Sequence, residues 1–98
     1  MSENNKTNTF AKGVQISSNG IVDVVTFESN FVSMQELQNA VKGHFEFVYL
    51  PNNMILVVNE EGKLNDLPIN EIATSFVLPI MNDIIVGDVL LINGKYLN

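Results

Sequence analysis

Apolar and polar residues alternate along the first third of the chain in the manner of β-strands. Val14-Gln15-Ile16-Ser17 has the period of two that is typical of a half-buried strand. Asn19-Gly20 follows, and both of these residues tolerate positive φ, which favours a tight hairpin turn. The segment from Ile21 to Phe27 is rich in valine and phenylalanine and predicts the returning strand.

The next segment has a helical pattern. Ser33 and Glu36 have the spacing of a capping box, in which each side chain satisfies a free backbone donor at the start of a helix. We therefore predict a helix from Met34 to Lys42, with Gly43 as its stop. The hydrophobic-staple positions around the cap are both apolar: Val32 and Leu37. The apolar face has helical spacing: Met34, Leu37 and Val41.

The second half repeats this order. Segments 44–50 and 54–58 are rich in β-formers, and Pro51-Asn52-Asn53 between them predicts a second hairpin. A second helix is expected to begin near Asp66 to Asn70. Its apolar face comprises Ile69, Ile72, Ala73 and Phe76, and Pro79 limits its length. Segment 84–92 predicts a buried final strand with a bulge at Gly87-Asp88.

The predicted fold is α+β, with the order ββ-α-ββ-α-β. Successive hairpins imply a small, mostly antiparallel sheet, and we expect the two short helices to pack on one face of it. Residues 10–98 are expected to form a single domain, since this length suits one core. Residues 1–9 are polar and rich in asparagine, which predicts a disordered arm and no signal peptide.

Composition narrows the classes of function. The 98 residues carry a net charge of −6, and the basic residues are five lysines with no arginine, so direct nucleic-acid binding is not expected. The absence of cysteine excludes disulfides and thiolate metal sites and is compatible with a cytoplasmic location. No segment has the apolar length of a membrane span. An acidic surface suits a basic protein partner, or simply solubility.

The most polar cluster in the predicted domain marks the candidate site. It comprises Asn59, Glu60, Glu61 and Lys63, around Gly62. Asn70 and Thr74 are one helical turn apart and are candidates for the same ligand- or partner-binding site. The alternative interpretation is a solvated turn with Gly62 at positive φ, beside a helix that Asn70 caps. Two adjacent carboxylates are too few for a calcium site, so no metal is expected here. No cofactor is expected either.

Catalytic groups are not apparent. His44 is the only histidine, and no second histidine, serine motif or metal-ligand spacing accompanies it. Asp88 follows Gly87 at the predicted bulge, where a bend in the strand explains it as well as a functional carboxylate does. Phosphate-binding and dinucleotide motifs are also lacking. We therefore predict a protein that is not an enzyme.

Three segments, taken together in order and spacing, resemble the DUF3846 family of small bacterial and phage proteins. They are Leu37-Gln38-Asn39-Ala40-Val41, the stretch 58–74 with its Val-Asn-Glu-Glu-Gly-Lys-Leu start, and Ile85-Val86-Gly87-Asp88-Val89. The family usually has a Gly-Gly pair where this chain has Lys42-Gly43. The resemblance implies an α+β fold and no particular chemistry. The family is frequent in phages and mobile elements, so the resemblance implies a role in host takeover or against host defence.

Three functions remain open at this point. The first is an inhibitor or adaptor that binds a host protein through an acidic face or an exposed sheet edge. The second is a protein that sequesters a small, nucleotide-like signal molecule at the Asn59 to Lys63 loop. The third is a homo-oligomeric assembly protein that pairs through aromatic residues outside the clearest core positions: Phe10, Phe27, Phe31 and Tyr96.

Overall fold

The computed structural model describes residues 10–98, and the predicted arm at residues 1–9 lies outside them. The strands are β1 (Lys12–Ile16), β2 (Val22–Thr26), β3 (Phe45–Tyr49), β4 (Met54–Asn59) and β5 (Val89–Asn93). The helices are α1 (Met34–Val41) and α2 (Glu71–Val77), and a short 3-10 helix spans Gly94–Tyr96. The predicted α+β class and element order are confirmed.

All five strands form one antiparallel sheet in the order β2-β1-β5-β4-β3. The two sequence hairpins, β1–β2 and β3–β4, become the two halves of the sheet, and β5 enters between them. Within residues 10–98, β2 and β3 are therefore the edge strands. Neither helix in this part of the chain has the length and apolar composition that crossing a bilayer requires.

The two helices lie on opposite faces of the sheet, so the prediction that both pack on one face is wrong. Strand β4 shows why, because Ile55 and Val57 pack in the core beneath α1, whereas Leu56 and Val58 pack beneath α2. Successive side chains of a strand point to opposite faces. The continuous apolar run of β4 is the signal for a strand covered on both sides.

Both helix starts match the sequence pattern. Ser33 accepts a hydrogen bond from the Glu36 N–H at 3.1 Å, and the Glu36 carboxylate accepts one from the Ser33 N–H at 2.9 Å. Asn70 is the cap of α2 and accepts from the Ala73 N–H at 3.0 Å. The left-handed residue that ends α1 is Lys42, with φ 63°, and not Gly43 as the sequence predicted.

The last predicted strand is shorter than its apolar run. Regular pairing begins only at Val89, and the segment before it makes an isolated bridge between Val86 and Ile69. Gly87 has φ 79°, a conformation that glycine adopts without strain, and it turns the chain from this bridge into β5. Residues 81–86 are thereby freed from the sheet and lie beside β3.

Candidate functional site

The edge of β3 carries unpaired backbone groups. Leu50 N–H donates to Met54 O at 2.9 Å, and Glu60 N–H donates to His44 O at 2.9 Å. Hydrogen-bonded and non-hydrogen-bonded residue pairs alternate along an antiparallel ladder. The even-numbered residues of β3 therefore face β4, and the N–H and C=O groups of Phe45, Phe47 and Tyr49 point away from it. No other strand of the described chain covers this edge.

A groove of about 430 Å³ runs beside this edge. One wall is β3 from Glu46 to Tyr49, the opposite wall is the segment from Met81 to Val86, and the end of β4 closes it together with Glu60 and Lys63. The walls carry both charged and apolar side chains. The apolar lining includes Val48, Val58, Met81, Ile84 and Ile85.

Carboxylates outnumber cations in this groove. Glu46, Glu60 and Asp83 line it against a single ammonium group, that of Lys63. Lys63 forms an ion pair with Asp83, and its hydrogen bond is the main cause that holds the pKa of Asp83 below the ordinary value. Both partners are substantially exposed, so the pair adds little to stability. The groove therefore has an excess of negative charge.

The other face of β3 presents a ladder of aromatic rings. Phe45 and Phe47 stack with centroids 5.4 Å apart, and Phe47 meets Tyr49 edge-on at 6.2 Å. The two phenylalanines pack against the core beneath α1, whereas Tyr49 is 69% exposed. A strand added at this edge would contact an aromatic surface on one face and the acidic groove on the other.

The structure brings together three of the predicted site residues: Asn59, Glu60 and Lys63 all line the groove. Asn59 itself is buried, and its amide donates to the Val41 carbonyl at 3.0 Å and accepts from the Glu61 N–H at 2.8 Å. It thus fixes the loop to the end of α1. Glu60 and Lys63 are left to present their charges to the groove, while Glu61 is exposed outside its lining.

The close approach of Asn59 also explains the residues that follow α1. A Cβ atom on Gly43 would lie 2.8 Å from the Asn59 amide nitrogen, which is too close for any other residue without a shift. Lys42 meanwhile adopts the left-handed conformation that glycine prefers. Both positions of the family's Gly-Gly pair thus have a backbone reason for glycine. Lys42 instead forms a 3.0 Å ion pair with Asp88.

Asn70 and Thr74 lie away from the groove. Asn70 is fully buried, and both of its amide hydrogens are used, by Ile16 O at 3.0 Å and Gly87 O at 2.8 Å. The Thr74 hydroxyl accepts from the Ile85 N–H at 2.9 Å and donates to the Ile85 carbonyl at 3.3 Å. These two side chains hold the segment before β5 against α2, and they leave no amide hydrogen of Asn70 for a ligand.

Two further glycine and aspartate positions have structural explanations. Gly62 is buried, and the positive φ predicted for it is not observed; instead, an added Cβ would lie 2.7 Å from a Val86 methyl group. Asp88 accepts from the Ser18 N–H at 2.9 Å and pairs with Lys42. Burial alone would raise the pKa of Asp88, but these two partners outweigh it, so the pKa lies below the ordinary value.

The predicted aromatic interface is only partly exposed. Phe27 and Tyr96 pack against the core beneath α1, whereas Phe10 and Phe31 have large exposed fractions. His44 is exposed, and its backbone carbonyl belongs to the β3–β4 ladder. Among residues 10–98, no three acidic or histidine side chains are grouped so that they could hold a metal ion.

Sequence reasoning missed two parts of this site. The open edge of β3 depends on the strand order, which is set by β5 entering between the two hairpins. The sequence pattern predicts part of the wall, residues 84–86, as the start of the last strand, because the apolar residues there resemble a strand. Only a Gly at position 87, which separates that wall from β5, signalled the break.

The chain matches a known protein-family model. No curated protein sequence and no solved structure matches the chain significantly. The family model described as "Domain of unknown function (DUF3846)" matches residues 12–96, which include every strand and both helices. The resemblance carried by the loop at Asn59 to Lys63 thus extends over nearly the whole length, and the chain belongs to the DUF3846 family.

Proposed function

We propose that this protein is a non-enzymatic binding module that captures an extended, basic segment of a partner protein at the edge of β3. The observation that carries the proposal is the coincidence of two features. The unpaired N–H and C=O groups of Phe45, Phe47 and Tyr49 lie along the same edge as a groove with excess carboxylates. Strand addition needs the first feature, and selection of a basic segment needs the second.

Pairing with the edge supplies affinity, and the groove supplies selectivity. A segment that pairs with β3 would form main-chain hydrogen bonds at each of the three outward-facing residues. Alternate side chains of that segment would enter the groove, where Glu46 and Glu60 favour lysine or arginine and Met81 and Ile84 favour apolar groups. The lack of arginine in this chain fits a protein that receives a basic segment.

We further propose a host protein as the partner and inhibition or adaptor activity as the outcome. The phage and mobile-element setting that the family resemblance implies supports this, because a small acidic module can block a basic surface without any chemistry of its own. In this proposal the protein acts in the cytoplasm of the host cell, against a defence protein, and it does not bind nucleic acid directly.

A pair of synthetic peptides tests the proposal. One alternates lysine with valine, and the other alternates glutamate with valine. The basic peptide should bind at low ionic strength and lose affinity with added salt, and the acidic peptide should not bind. Reversing the groove charges with Glu46→Lys and Glu60→Lys should invert this preference.

The matched control is Glu28→Lys with Glu71→Lys, which changes the net charge equally at exposed sites outside the groove. This control should keep the preference for the basic peptide. If it inverts the preference as strongly as the groove variant does, the binding reflects net charge alone and the proposed site is wrong.

A second candidate function is supported by the same groove. Its volume of about 430 Å³ is within the range of small-molecule sites, and Asn59, Glu60 and Lys63 line it. The excess of carboxylates favours a cationic or neutral polar ligand over the phosphorylated signal considered from the sequence. Native mass spectrometry of freshly purified protein distinguishes the two proposals. Added mass that disappears on denaturation supports sequestration, and a bare protein argues against it.

A further inference from the structure

The second edge strand, β2, also has unpaired backbone groups. Ser17 N–H donates to Ile21 O at 2.9 Å, and Phe27 N–H donates to Ala11 O at 2.8 Å. These bonds show that the odd-numbered residues of β1 and β2 form the hydrogen-bonded pairs of the β1–β2 ladder. The N–H and C=O groups of Val22, Val24 and Thr26 therefore point outward, and no strand of the described chain pairs with them.

The side chains of β2 give this edge little protection. Natural edge strands are usually protected by charged side chains, above all lysine, by proline, by a bulge or by a covering loop. Strand β2 reads Val-Asp-Val-Val-Thr, and its pairing with β1 is regular over all five residues. Val24 is 75% exposed and Val22 is 51% exposed, although both are among the best strand formers. The acidic groove has no counterpart here, since Asp23 is the strand's one charge.

We propose that β2 is the dimer interface of this protein and that its occupant is β2 of a second copy, paired antiparallel about a two-fold axis at Val24. In this register Val24 faces Val24 of the second copy, and Val22 faces Thr26 at either end. All three outward-facing residues of each strand then form hydrogen-bonded pairs, so the two copies exchange a complete set of main-chain bonds.

The single charge selects this register over its neighbours. The outward-facing groups allow only registers that pair even-numbered residues with each other. A two-fold axis at Asp23 would set the two carboxylates directly opposite each other, which is unfavourable. An axis at Val25 avoids that contact but moves Val22 beyond the end of the partner strand. With the axis at Val24, Asp23 faces Val25 of the second copy, and no pair is lost.

The same pairing continues an apolar row across the whole assembly. On the α2 face, cross-strand partners follow one another through the sheet in the order Val48, Leu56, Leu91, Val14 and Val24. Val24 is the exposed end of this row. In the dimer it meets its own counterpart, so the row runs through ten strands and the two valine side chains shield part of each other's surface from water.

Dimerisation through β2 leaves both β3 edges open. They become the two outer edges of the ten-stranded sheet, separated by about 43 Å when neighbouring strands lie about 4.8 Å apart. The dimer would then present two peptide-binding edges to one oligomeric or repetitive partner. Such a partner would be held by both edges, which raises the effective affinity without new contacts.

Charge pairing at the two-fold axis tests this inference. Sedimentation velocity of the full chain should show a dimer at high concentration. Val24→Lys should raise the dissociation constant by more than about tenfold, because two ammonium groups would face each other. Val24→Glu should do the same, and an equimolar mixture of the two variants should form a dimer again. Leu64→Lys is the control, since Leu64 is 82% exposed and lies outside β2. It should dimerise like the unmodified protein.

Two results would overturn the inference. One is an unmodified protein that remains monomeric at every concentration. The other is a mixture of the lysine and glutamate variants that is no more dimeric than either alone. Circular dichroism of each variant verifies that the fold is retained. The monomeric Val24→Lys protein should still bind the lysine–valine peptide, so failure at β2 and failure at β3 are separable.

Discussion

The side-chain amide of Asn70 donates a 3.0 Å hydrogen bond to the backbone carbonyl of Ile16, 54 residues away in sequence. Through this bond the start of α2 is held to the end of β1, and the same amide also binds the Gly87 carbonyl just before β5. One buried side chain therefore joins the end of β1, the start of α2 and the turn before β5, which are far apart in the sequence. The α2 face of the sheet depends on it.

Replacement of Asn70 by alanine should destabilise the protein strongly. It removes a helix cap together with the two hydrogen bonds that Asn70 donates to the carbonyls of Ile16 and Gly87, and we expect a loss of about 3–5 kcal/mol in the free energy of unfolding. Ser33→Ala removes only an exposed cap and should cost about 1 kcal/mol. Urea denaturation measures both. Similar losses for the two variants would contradict the structural role of Asn70.

Proline substitution should distinguish the two sides of β3. The Val48 N–H belongs to the ladder with β4, whereas the Tyr49 N–H points outward. Val48→Pro should therefore cost at least about 2 kcal/mol more than Val48→Ala, because it leaves a buried carbonyl unpaired. Tyr49→Pro should cost less than about 1 kcal/mol more than Tyr49→Ala. Thermal and urea unfolding measure these differences, and equal costs at both positions would refute the assigned hydrogen-bond pattern.

Asp88 should make the free energy of unfolding fall measurably as the pH is lowered into the acid range. Its pKa is lowered in the fold, so its ionised form is stabilised there. That contribution is complete above the pKa of the unfolded chain, about 3.9, and is lost as the pH falls through the lower value of the folded state. Asp88→Asn should therefore flatten the decline in unfolding free energy below about pH 5. Glu28→Gln, at an exposed site, is the control and should leave the decline unchanged.

Removing Lys63 should strengthen binding of the basic peptide. Lys63 neutralises Asp83 within the groove, and Lys63→Ala would leave three carboxylates without a cation. We expect an affinity for the lysine–valine peptide that is higher by about three- to tenfold at low salt, with a stability change below about 1 kcal/mol. Lys12→Ala makes the same change in net charge outside the groove and should leave the affinity nearly unchanged. Isothermal titration measures both, and equal effects would assign the gain to net charge.

Local features of the fold were predictable from sequence because they depend on neighbouring residues. The capping box of Ser33 and Glu36, the cap at Asn70 and the two hairpins follow from short-range rules. The opposite placement of the helices was not predicted, because it depends on which face of β4 each helix covers. The face that each helix covers is determined by contacts between residues far apart in sequence, although the uninterrupted burial of β4 indicates that both of its faces are covered.

The candidate site was predictable only in part. The sequence marks Glu60 and Lys63 as charges in a loop, and in the structure they line the groove together with Asn59. Asn70 and Thr74 share a helix face as predicted, but both are turned toward the backbone of residues 85–87. The open backbone groups of Phe47 and Tyr49 have no sequence signature, because any residue supplies an N–H and a C=O.

The most direct test of the account is residue-resolved amide hydrogen exchange with and without the lysine–valine peptide. In the free protein, the amides of Phe45, Phe47 and Tyr49 should exchange rapidly, while those of Val48 and Leu50 should be protected by β4. With the peptide bound, the three outward-facing amides should become protected, and binding should weaken in Tyr49→Pro relative to Tyr49→Ala. Peptide binding that leaves these three amides exchanging rapidly would contradict strand addition at β3.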